Sequence, residues 1–344
     1  MGAETGKPLL EVDDLHTHLD TKNGLVRAVD GVSFKLHAGE TLGIVGESGS
    51  GKSMTALSIL RVVPRPVARI VGGRVLLEGD DLLRKSEQEM RQIRGRDIAM
   101  ILQDPQTSLN PVFTVGSQIL EALRIHRRGE DQRSLLGRTI EALRQVRVAA
   151  PEDRVHAYPH QMSGGMKQRV VGAIAISCRP RVIIADEPTT SLDVTIQAQY
   201  LRLLQDLQRE TGLAILFITH DFGIVAKLCQ RLLVMYAGRV VETGPVRAIF
   251  DRPSHPYTRA LLGSVPRIDT KVERLESIEG QPPAFWNLPP GCRFAARCPY
   301  ADERCRSEYP PAFQVQGGAA DHVASCWRLE DPAWQPLPSS KPAA

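Results

Sequence analysis

One eight-residue segment restricts the possible folds of this chain more than any other. Residues 46–53 read GESGSGKS, which satisfies the pattern G-x-x-x-x-G-K-[ST]. The apolar run Thr41–Val45 before it predicts a buried strand, and the run from Lys52 to Val62 after it predicts a helix. A glycine-rich turn between a strand and a helix is the context in which this motif forms a phosphate-binding loop. The sequence therefore predicts a nucleotide-binding protein.

The residue types in this segment suit a polyphosphate. Glycines let the backbone approach phosphate oxygens, and the N–H groups at the start of the helix are directed at negative charge. Lys52 is predicted to reach the β- and γ-phosphates, and the hydroxyl of Ser53 is predicted to bind Mg²⁺. The predicted nucleotide-binding residues of the segment are Gly46, Glu47, Ser48, Gly49, Ser50, Gly51, Lys52 and Ser53.

A second apolar run ends in two carboxylates. Residues 182–187 read VIIADE, and ligands of doubly wound sheets bind beyond the carboxyl ends of the strands. Asp186 is predicted to hold Mg²⁺, and Glu187 to orient and polarise the water that attacks the γ-phosphate. Taken alone, the pair could equally be two exposed acids that open a loop. The GESGSGKS segment upstream favours the catalytic interpretation.

Composition excludes several broad classes of protein. The 344 residues are enough for about two domains, and 42% hydrophobic and 24% charged residues exclude disorder over most of the chain. The formal charge is +4 and no dense basic block occurs, so no nucleic acid partner is expected. The longest apolar stretch, Val170 to Cys178, is too short to span a bilayer. The N-terminus has no apolar core of a secretion signal, so we expect a cytoplasmic protein with reduced thiols.

The chain falls into two regions of different composition. From residue 9 to about residue 260, strand and helix candidates alternate, which predicts an α/β fold with a largely parallel sheet and helices packed on it. After about residue 263 the chain holds 12 of its 24 prolines, so regular structure is expected to be short there. The end of the chain, residues 331–344, is expected to be a flexible tail.

Further motifs complete a pattern that resembles one family. Residues 162–166 read MSGGM and precede an apolar helix, so their N–H groups and hydroxyl are expected to form a second anion site. The segments ILQDP and FITHD each contribute one polar residue beside an apolar run, Gln103 and His220. The motifs GESGSGKS, MSGGM, VIIADE and FITHD, in this order, resemble those of an ABC-transporter ATPase.

This resemblance implies a fold class and a site. The implied fold is a P-loop ABC-type ATPase cassette over residues 8–262, with a helical signature subdomain at about residues 104–178. The implied catalytic residues are Glu187, His220, Gln103 and Lys52, and the implied Mg²⁺ ligands are Ser53, Gln103 and Asp186. Ser163, Gly164 and Gly165 are implied to contact ATP, as is Asp193, which ends the segment Thr190–Asp193 that matches the D-loop. Met162 and Met166 replace the usual leucine and glutamine of the signature, and the second change is common in the peptide-importer branch.

One contact departs from the family pattern. The family usually stacks an aromatic side chain on adenine from an early loop, and here that region reads LHTHLDTKNG. By spacing, the stacking position falls near Leu19. The alternatives His18 and His16 stay open.

Four cysteines near the C-terminus form a second candidate site, with the spacing C-x5-C-x6-C-x20-C. Four thiolates suit a tetrahedral zinc ion or an iron–sulfur cluster, but this spacing matches neither the usual zinc pairs nor the ferredoxin run. Free thiols in a loop-rich tail are the alternative. Cys178 and Cys229 lie in apolar helical contexts and are expected to be core residues. The four candidate ligands are Cys292, Cys298, Cys305 and Cys326.

The same region sharpens the resemblance. Residues 255–267 (HPYTRALLGSVPR) and residues 291–305 (GCRFAARCPYADERC), with a distal cysteine, are similar to the C-terminal extension of dipeptide and oligopeptide importer ATPases, here residues 263–330. In some members this extension carries a [4Fe–4S] cluster, so the resemblance implies a cluster on the four cysteines in a structural role, with zinc as the alternative. Trp286 and Trp327 are expected to pack, and His322 is not expected to replace a cysteine.

The resemblance implies an ATP- and Mg²⁺-dependent subunit that powers import of dipeptides or oligopeptides from the cytoplasmic face of the inner membrane. The implied partners are a second, related cassette in a heterodimer, two transmembrane permease subunits and an extracytoplasmic peptide-binding protein. Another cargo, such as a nickel chelate or glutathione, is the alternative. A soluble ABC ATPase of DNA repair or translation is disfavoured because the chain has neither a long coiled coil nor a second cassette. A pure iron sensor is disfavoured because every catalytic motif is present.

Overall fold

The computed structural model describes residues 6–190, 192–264, 278–331 and 334. Most of the predicted tail, residues 331–344, and part of the predicted extension therefore lie outside the described residues, as does Ser191 of the D-loop segment. The chain divides into two compact units, each assembled from three segments. The first unit is Met1–Leu10, Leu36–Glu40 and Leu77–Phe217, and the second is Glu11–Lys35, Thr41–Leu76 and Ile218–Ala344.

The longest strands lie near the N-terminus, and most of the later strands are shorter. In chain order they are β1 Leu10–Thr21, β2 Gly24–Leu36, β3 Thr41–Val45, β4 Ala68–Leu77, β5 Asp80–Asp81, β6 Ile98–Ile101, β7 Val182–Asp186, β8 Ala214–Ile218, β9 Arg231–Tyr236, β10 Arg239–Pro245, β11 Phe313–Gln314 and β12 Val323–Ala324.

The helices follow the strands in alternation over much of the chain. In chain order they are α1 Lys52–Ile59, α2 Glu87–Ile93, α3 Pro105–Ser108, α4 Val115–His126, α5 Gln132–Gln145, α6 Pro151–Arg154, α7 Gly164–Ile176, α8 Val194–Thr211, α9 Phe222–Leu228, α10 Val246–Asp251, α11 Pro256–Gly263 and α12 Glu303–Ser307.

The second unit contains a sheet that includes the fully buried strand β3. Its strand order is β11-β12-β10-β9-β3, and β3 runs parallel to β9 with Val45 opposite Val234. Strands β9 and β10 form an antiparallel hairpin, and β12 from the C-terminal region adds to β10 with Glu242 opposite Ala324. A separate sheet places β1 between β2 and β4. The C-terminal region thus extends the sheet that carries the phosphate-binding segment.

In the first unit, β6 and β7 run parallel, with Ile101 opposite Ala185. All five residues of β7 are buried, as expected for a strand covered on both faces. The helix α4 buries Val115, Ile119 and Leu123 along one face, and this spacing of four residues gives the apolar stripe that packs a helix on its neighbours.

The structure confirms the alternation of strands and helices that the sequence predicts, but it also contains strands that the pattern did not indicate. Strand β4 alternates poorly in burial and contains Gly72 and Gly73, so it lacks the period-two signal of a strand. Among the described residues, no helix has the length and apolar character needed to cross a membrane.

Candidate active site

The phosphate-binding segment is a tight loop between β3 and α1. Two of its glycines have no space for a side chain. A Cβ on Gly46 would lie 2.2 Å from the carbonyl oxygen of Met235, and a Cβ on Gly51 would lie 2.3 Å from that of Ala28. Both glycines also have positive φ angles, 155° and 104°, which disfavour residues with a Cβ. The loop conformation therefore depends on glycine at both positions.

Lys52 folds back over this loop. Its ammonium donates hydrogen bonds to the carbonyl oxygens of Gly46 at 2.8 Å and Glu47 at 2.9 Å, and its side chain is buried. Ser48, Gly49 and Ser53 remain exposed around it. The loop thus surrounds a buried positive charge and presents backbone and hydroxyl groups to solvent, an arrangement that suits a bound polyphosphate.

His220 leaves the sheet at the same edge as this loop. The N–H of Thr219, just after β8, donates to the carbonyl oxygen of Ile44 in β3 at 3.1 Å. The ends of β8 and β3 are therefore neighbours, and the side chain of His220 is exposed there. Asp221 caps the following helix α9 by accepting hydrogen bonds from the N–H groups of Gly223 and Ile224, which fixes where the chain turns after His220.

In the first unit, Glu187 and Gln103 are in direct contact. Because β6 and β7 are parallel and in register, the residues that follow them lie side by side. The Gln103 amide donates to the Glu187 carboxylate, with 3.0 Å between Nε2 and Oε2, and the Thr190 hydroxyl donates to the same oxygen at 3.1 Å. Asp186 is buried at the end of β7. The structure thus brings together the predicted base and the predicted Mg²⁺ ligand Gln103.

Glu187 also has an unusual backbone conformation. Its φ angle is 45°, in the left-handed region that costs free energy for a residue with a Cβ. Strain of this kind persists where the surrounding structure holds a side chain in one place, and it is concentrated at functional sites. The conformation is consistent with a carboxylate that must point in one direction.

The signature segment forms the N-terminus of α7. The Ser163 hydroxyl accepts from the Met166 N–H at 3.4 Å, and Ser163 and Gly164 are exposed. Gly165 approaches the start of α8 so closely that a Cβ there would lie 2.7 Å from Cγ2 of Ile196. Asp193 caps α8 by accepting from the Ile196 N–H at 3.0 Å. The predicted signature and D-loop residues therefore lie near one another on the surface of the first unit.

The candidates for the adenine contact lie on opposite faces of strand β1. The Thr17 and Ser58 hydroxyls lie 2.7 Å apart, so the face of β1 with Thr17 contacts α1. Alternation along the strand puts Leu19 on that face and His16 and His18 on the other. His16 is also held by the carboxylates of Asp14 at 3.0 Å and Asp30 at 3.2 Å.

All four cysteines of the C-terminal candidate site line one small, partly open pocket with a cavity volume of about 20 Å³. The described chain contains all six cysteines, and each is a free thiol. Burial raises the pKa of Cys292 to about 11 and that of Cys326 to about 12, and the neighbouring cysteines add to both shifts. The remaining lining of this cysteine pocket is largely apolar or aromatic, and includes Phe294, Pro310 and Trp327.

His322 lies outside this lining and has another contact. Its Nε2 is 2.8 Å from the carboxylate of Glu242, and both side chains are fully buried. The same carboxylate accepts from the N–H groups of Ser254 and His255. Trp286, which was expected to pack, is 52% exposed, whereas the Trp327 indole donates to the carbonyl oxygen of Glu308 at 3.0 Å.

Sequence reasoning missed two residues that contact the phosphate-binding loop. The Tyr257 hydroxyl accepts from the Glu47 N–H at 2.8 Å, and the Arg297 guanidinium binds the Glu47 carboxylate. Tyr257 lies in the HPY motif and Arg297 directly precedes Cys298. Both residues therefore lie in motifs that the sequence analysis noted. Neither motif indicates that its residue contacts Glu47, which is far away in the sequence.

Two family descriptions match the chain. The description "ABC transporter" matches residues 29–190, which include the phosphate-binding loop, Gln103 and Glu187. The description "Oligopeptide/dipeptide transporter, C-terminal region" matches residues 241–305, which include three of the four cysteines of the pocket.

Similar proteins cover nearly the whole chain. The probable peptide ABC transporter ATP-binding protein y4tR of Sinorhizobium fredii is 54% identical over 324 residues, 94% of this chain and 96% of that protein. The dipeptide transport ATP-binding protein DppD of Bacillus subtilis is 48% identical over 94% of this chain and 95% of its own length. The Escherichia coli protein of the same name is 49% identical over 90% of this chain and 94% of its own length.

Solved structures of cassettes are similar in fold. A dimeric bacterial ABC transporter cassette has a TM-score of 0.62 and 26% identity, covering 69% of this chain and 99% of that one. The same figures apply to a post-hydrolysis dimer of that cassette bound to ADP and Pi. The cbiO1 protein of Clostridium perfringens, part of the complex cbiONQ, has a TM-score of 0.61 and covers 71% of this chain. The predicted fold class is thereby confirmed.

Proposed function

The chain belongs to the family of ABC transporter ATP-binding proteins, and from that premise we propose that it is the ATP-hydrolysing subunit of a peptide importer. The observation that carries this function is similarity over more than nine-tenths of the chain to proteins named for peptide or dipeptide transport. The match to the oligopeptide/dipeptide transporter C-terminal region supports the same branch. The cargo is proposed to be dipeptides or oligopeptides, with a nickel chelate or glutathione as the alternative.

The proposed site divides its roles among the residues described above. Lys52 and the N–H groups of the loop bind the phosphates, and Glu187 orients and deprotonates the attacking water as general base. Gln103 holds Glu187 in place, and His220 contacts the γ-phosphate. Support comes from the buried ammonium of Lys52 and from the Gln103–Glu187 hydrogen bond.

The residues proposed for Mg²⁺ offer suitable donors. Mg²⁺ prefers oxygen ligands, and Ser53, Gln103 and Asp186 provide a hydroxyl, an amide and a carboxylate oxygen. The exposed hydroxyl of Ser53 at the start of α1 and the buried carboxylate of Asp186 fit this assignment. When bound, the ion neutralises negative charge that develops on the phosphates. The chain's own contribution is the loop that binds the phosphates and the hydrogen bonds that orient the carboxylate of Glu187.

We also propose that two cassettes form each complete ATP site. Ser163, Gly164 and Asp193 are exposed on the first unit, as residues that contact the nucleotide of a second cassette must be. A solved relative in fold is dimeric and was also observed with ADP and Pi. The proposed partner is a related but different ATPase subunit, which would make a heterodimer.

The other proposed partners are two transmembrane permease subunits and an extracytoplasmic peptide-binding protein. Shortly after Gln103 the chain exposes Val112 by 71% and Phe113 by 54%. Exposed neighbouring apolar side chains are typical of an interaction surface, and these support docking of a permease segment there. The proposed location is peripheral, at the cytoplasmic face of the inner membrane.

The proposed domain division is a cassette over residues 8–262, with its signature subdomain at about residues 104–178, and an extension over residues 263–330.

For the cysteine pocket we propose a [4Fe–4S] cluster on Cys292, Cys298, Cys305 and Cys326. All four thiols line one pocket, and four thiolates are the ligand set that such a cluster requires. Four thiolates equally suit a tetrahedral zinc ion, which is the alternative.

Purification of the tagged chain from its native membrane under anaerobic conditions tests these proposals together. Mass spectrometry identifies the partners, and iron, zinc and visible absorbance are measured on the same sample. Two permease subunits, a second cassette and about four irons per chain are expected. Recovery with ribosomes or nucleic acid and without permease subunits would overturn the transport function. Zinc in place of iron would overturn only the cluster.

A further inference from the structure

Glu47, the second residue of the phosphate-binding loop, is held at three points. Its N–H donates to the Tyr257 hydroxyl at 2.8 Å, and its carbonyl oxygen accepts from Lys52 at 2.9 Å. Its carboxylate accepts two hydrogen bonds from Arg297, at 2.9 Å from Nη1 to Oε2 and 3.1 Å from Nη2 to Oε1. A residue of the loop is thus fixed by two side chains from the C-terminal part of the chain.

Arg297 is itself rigidly placed. It ends the short 3₁₀ helix Ala295–Arg297 and is only 6% exposed. It also donates to the carbonyl oxygens of Glu279 at 3.0 Å and Ile278 at 3.2 Å, and to the Tyr236 hydroxyl at 3.2 Å. A buried guanidinium that makes a two-point contact with a carboxylate imposes both direction and distance on its partner.

A second arginine beside the cysteine pocket reinforces the same loop indirectly. Arg293, which follows Cys292, donates to the carbonyl oxygen of Ala237 and to the carboxylate of Asp30. The next residue, Gly238, donates its N–H to the carbonyl oxygen of Ser50 at 2.8 Å. The segment between the first two cysteines therefore contacts the loop directly through Arg297 and through the β9–β10 turn.

We propose that Arg297 is a positioning residue for nucleotide binding, acting through Glu47 on the phosphate-binding loop. The inference rests on the proposed function, in which residues 46–53 bind ATP. Arg297 holds the carboxylate of Glu47, and Lys52 binds the carbonyl oxygen of the same residue. Loss of Arg297 releases one of the three restraints on Glu47, so the loop samples conformations that do not accept phosphates. Affinity falls because only the competent fraction binds.

The test is a double-mutant cycle on the full-length chain, with MgATP binding measured by calorimetry in the absence of turnover. Arg297→Met and Glu47→Gln are each expected to weaken affinity about tenfold, which corresponds to about 1.4 kcal/mol. The double variant is expected to bind no more weakly than either single variant, because both changes break the same contact. Arg297→Lys keeps the charge without the two-point contact and is expected to lie between wild type and Arg297→Met.

Arg304→Met is the matched control. Arg304 directly precedes Cys305 and pairs with the Glu330 carboxylate at 2.5 Å, but neither residue touches the loop. This variant is expected to bind MgATP within twofold of wild type. Thermal unfolding of each nucleotide-free variant separates the two possible roles, since a merely structural arginine would lower the melting temperature and leave the affinity of the folded protein unchanged.

The outcomes are distinct. Provided that wild type and Arg304→Met bind MgATP, two results would overturn the inference. One is an unchanged MgATP affinity in Arg297→Met, and the other is a loss of affinity in the double variant equal to the sum of the two single losses. If Arg297→Met does not fold, Glu47→Gln and Arg297→Lys decide the question by the same criteria. Failure of wild type and Arg304→Met to bind MgATP would overturn the proposed function and this inference with it.

Discussion

The amide of Gln103 donates a hydrogen bond to the carboxylate of Glu187 across two parallel strands, with 3.0 Å between the two atoms. The contact joins residues that are 84 positions apart in the sequence. It arises because β6 and β7 end side by side, with Ile101 opposite Ala185. A carboxylate held from one side by an amide and by the Thr190 hydroxyl keeps a fixed orientation.

The first prediction concerns the base. Glu187→Gln is expected to retain ATP binding, because the amide oxygen still accepts from Gln103, and to abolish turnover, because an amide takes no proton. General-base catalysis contributes about 10²- to 10⁴-fold, so ATPase activity of the complete transporter complex is expected to fall by at least that lower factor. Glu210→Gln, the same change at an exposed glutamate near the end of α8, is the control. Full activity in Glu187→Gln would show that another group is the base.

The second prediction separates two roles of Asp193. The carboxylate caps α8, accepting from the Ile196 N–H at 3.0 Å, and loss of such a cap costs about 1 kcal/mol. Asp193→Ala is expected to lose this stability, whereas Asp193→Asn keeps the cap because asparagine is an equally good cap residue. If Asp193 also acts at the ATP site between two cassettes, Asp193→Asn reduces ATPase activity of the complex at unchanged stability. Chemical denaturation and ATPase assays on both variants check this, and normal activity in Asp193→Asn would limit the residue to its cap.

The third prediction concerns the cysteine pocket. Cys298→Ser and Cys326→Ser are each expected to lower the iron content and visible absorbance of anaerobically purified protein, because a hydroxyl is a poor substitute for a thiolate ligand. Cys178→Ser is the control: its thiol is also buried, and it lies in the first unit, near the carbonyl oxygen of Ala122. Equal iron in all three variants and wild type would place the metal elsewhere.

Parts of this molecule could be predicted from the sequence because their signals are local. The strand β3, the glycine-rich loop and the start of α1 follow one another without interruption, and so do the apolar residues and carboxylates of β7 and Glu187. The four cysteines were singled out as a candidate site, and spacing alone left zinc, a cluster and free thiols open. Their arrangement around one cavity comes from tertiary structure, since Cys326 reaches it through β12 beside β10.

Other parts depend on contacts between distant residues and left no local trace. Arg297 and Glu47 are 250 positions apart, and an arginine in a proline-rich segment is usually a solvated surface residue. The strands β1, β2 and β4 have polar, partly exposed residues along them, so their apolar pattern is weaker than that of β3 or β7. Pairing within a sheet stabilises such strands against their weak intrinsic preference.

The last prediction concerns the acid stability of the second unit, where Asp30 joins two arginines. Burial alone would raise the pKa of this carboxyl, but Arg293 and Arg239 outweigh it and hold the pKa below its usual value. A carboxylate with a lowered pKa stabilises the fold above the unfolded-state pKa of about 3.9, and that stabilisation is lost as the pH falls through the lower folded-state pKa. The free energy of unfolding is therefore expected to decrease from about pH 5 to about pH 3, and Asp30→Asn is expected to remove part of that decrease.

The control for this prediction is Asp13→Asn on β1, the strand beside the β2 strand that carries Asp30. The Asp13 carboxylate pairs with Arg74 and is 40% exposed. Any loss of bound metal in acid affects both variants alike, so the difference between them isolates Asp30. At neutral pH, Asp30→Asn is expected to cost about 3 kcal/mol, because it leaves Arg293 buried without its carboxylate. If that variant is too unstable to measure, Arg239→Gln removes one of the two cations and shifts the acid loss to a higher pH. An unfolding profile that keeps the wild-type pH dependence in both Asp30→Asn and Arg239→Gln would show that this carboxylate is not what the acid transition titrates.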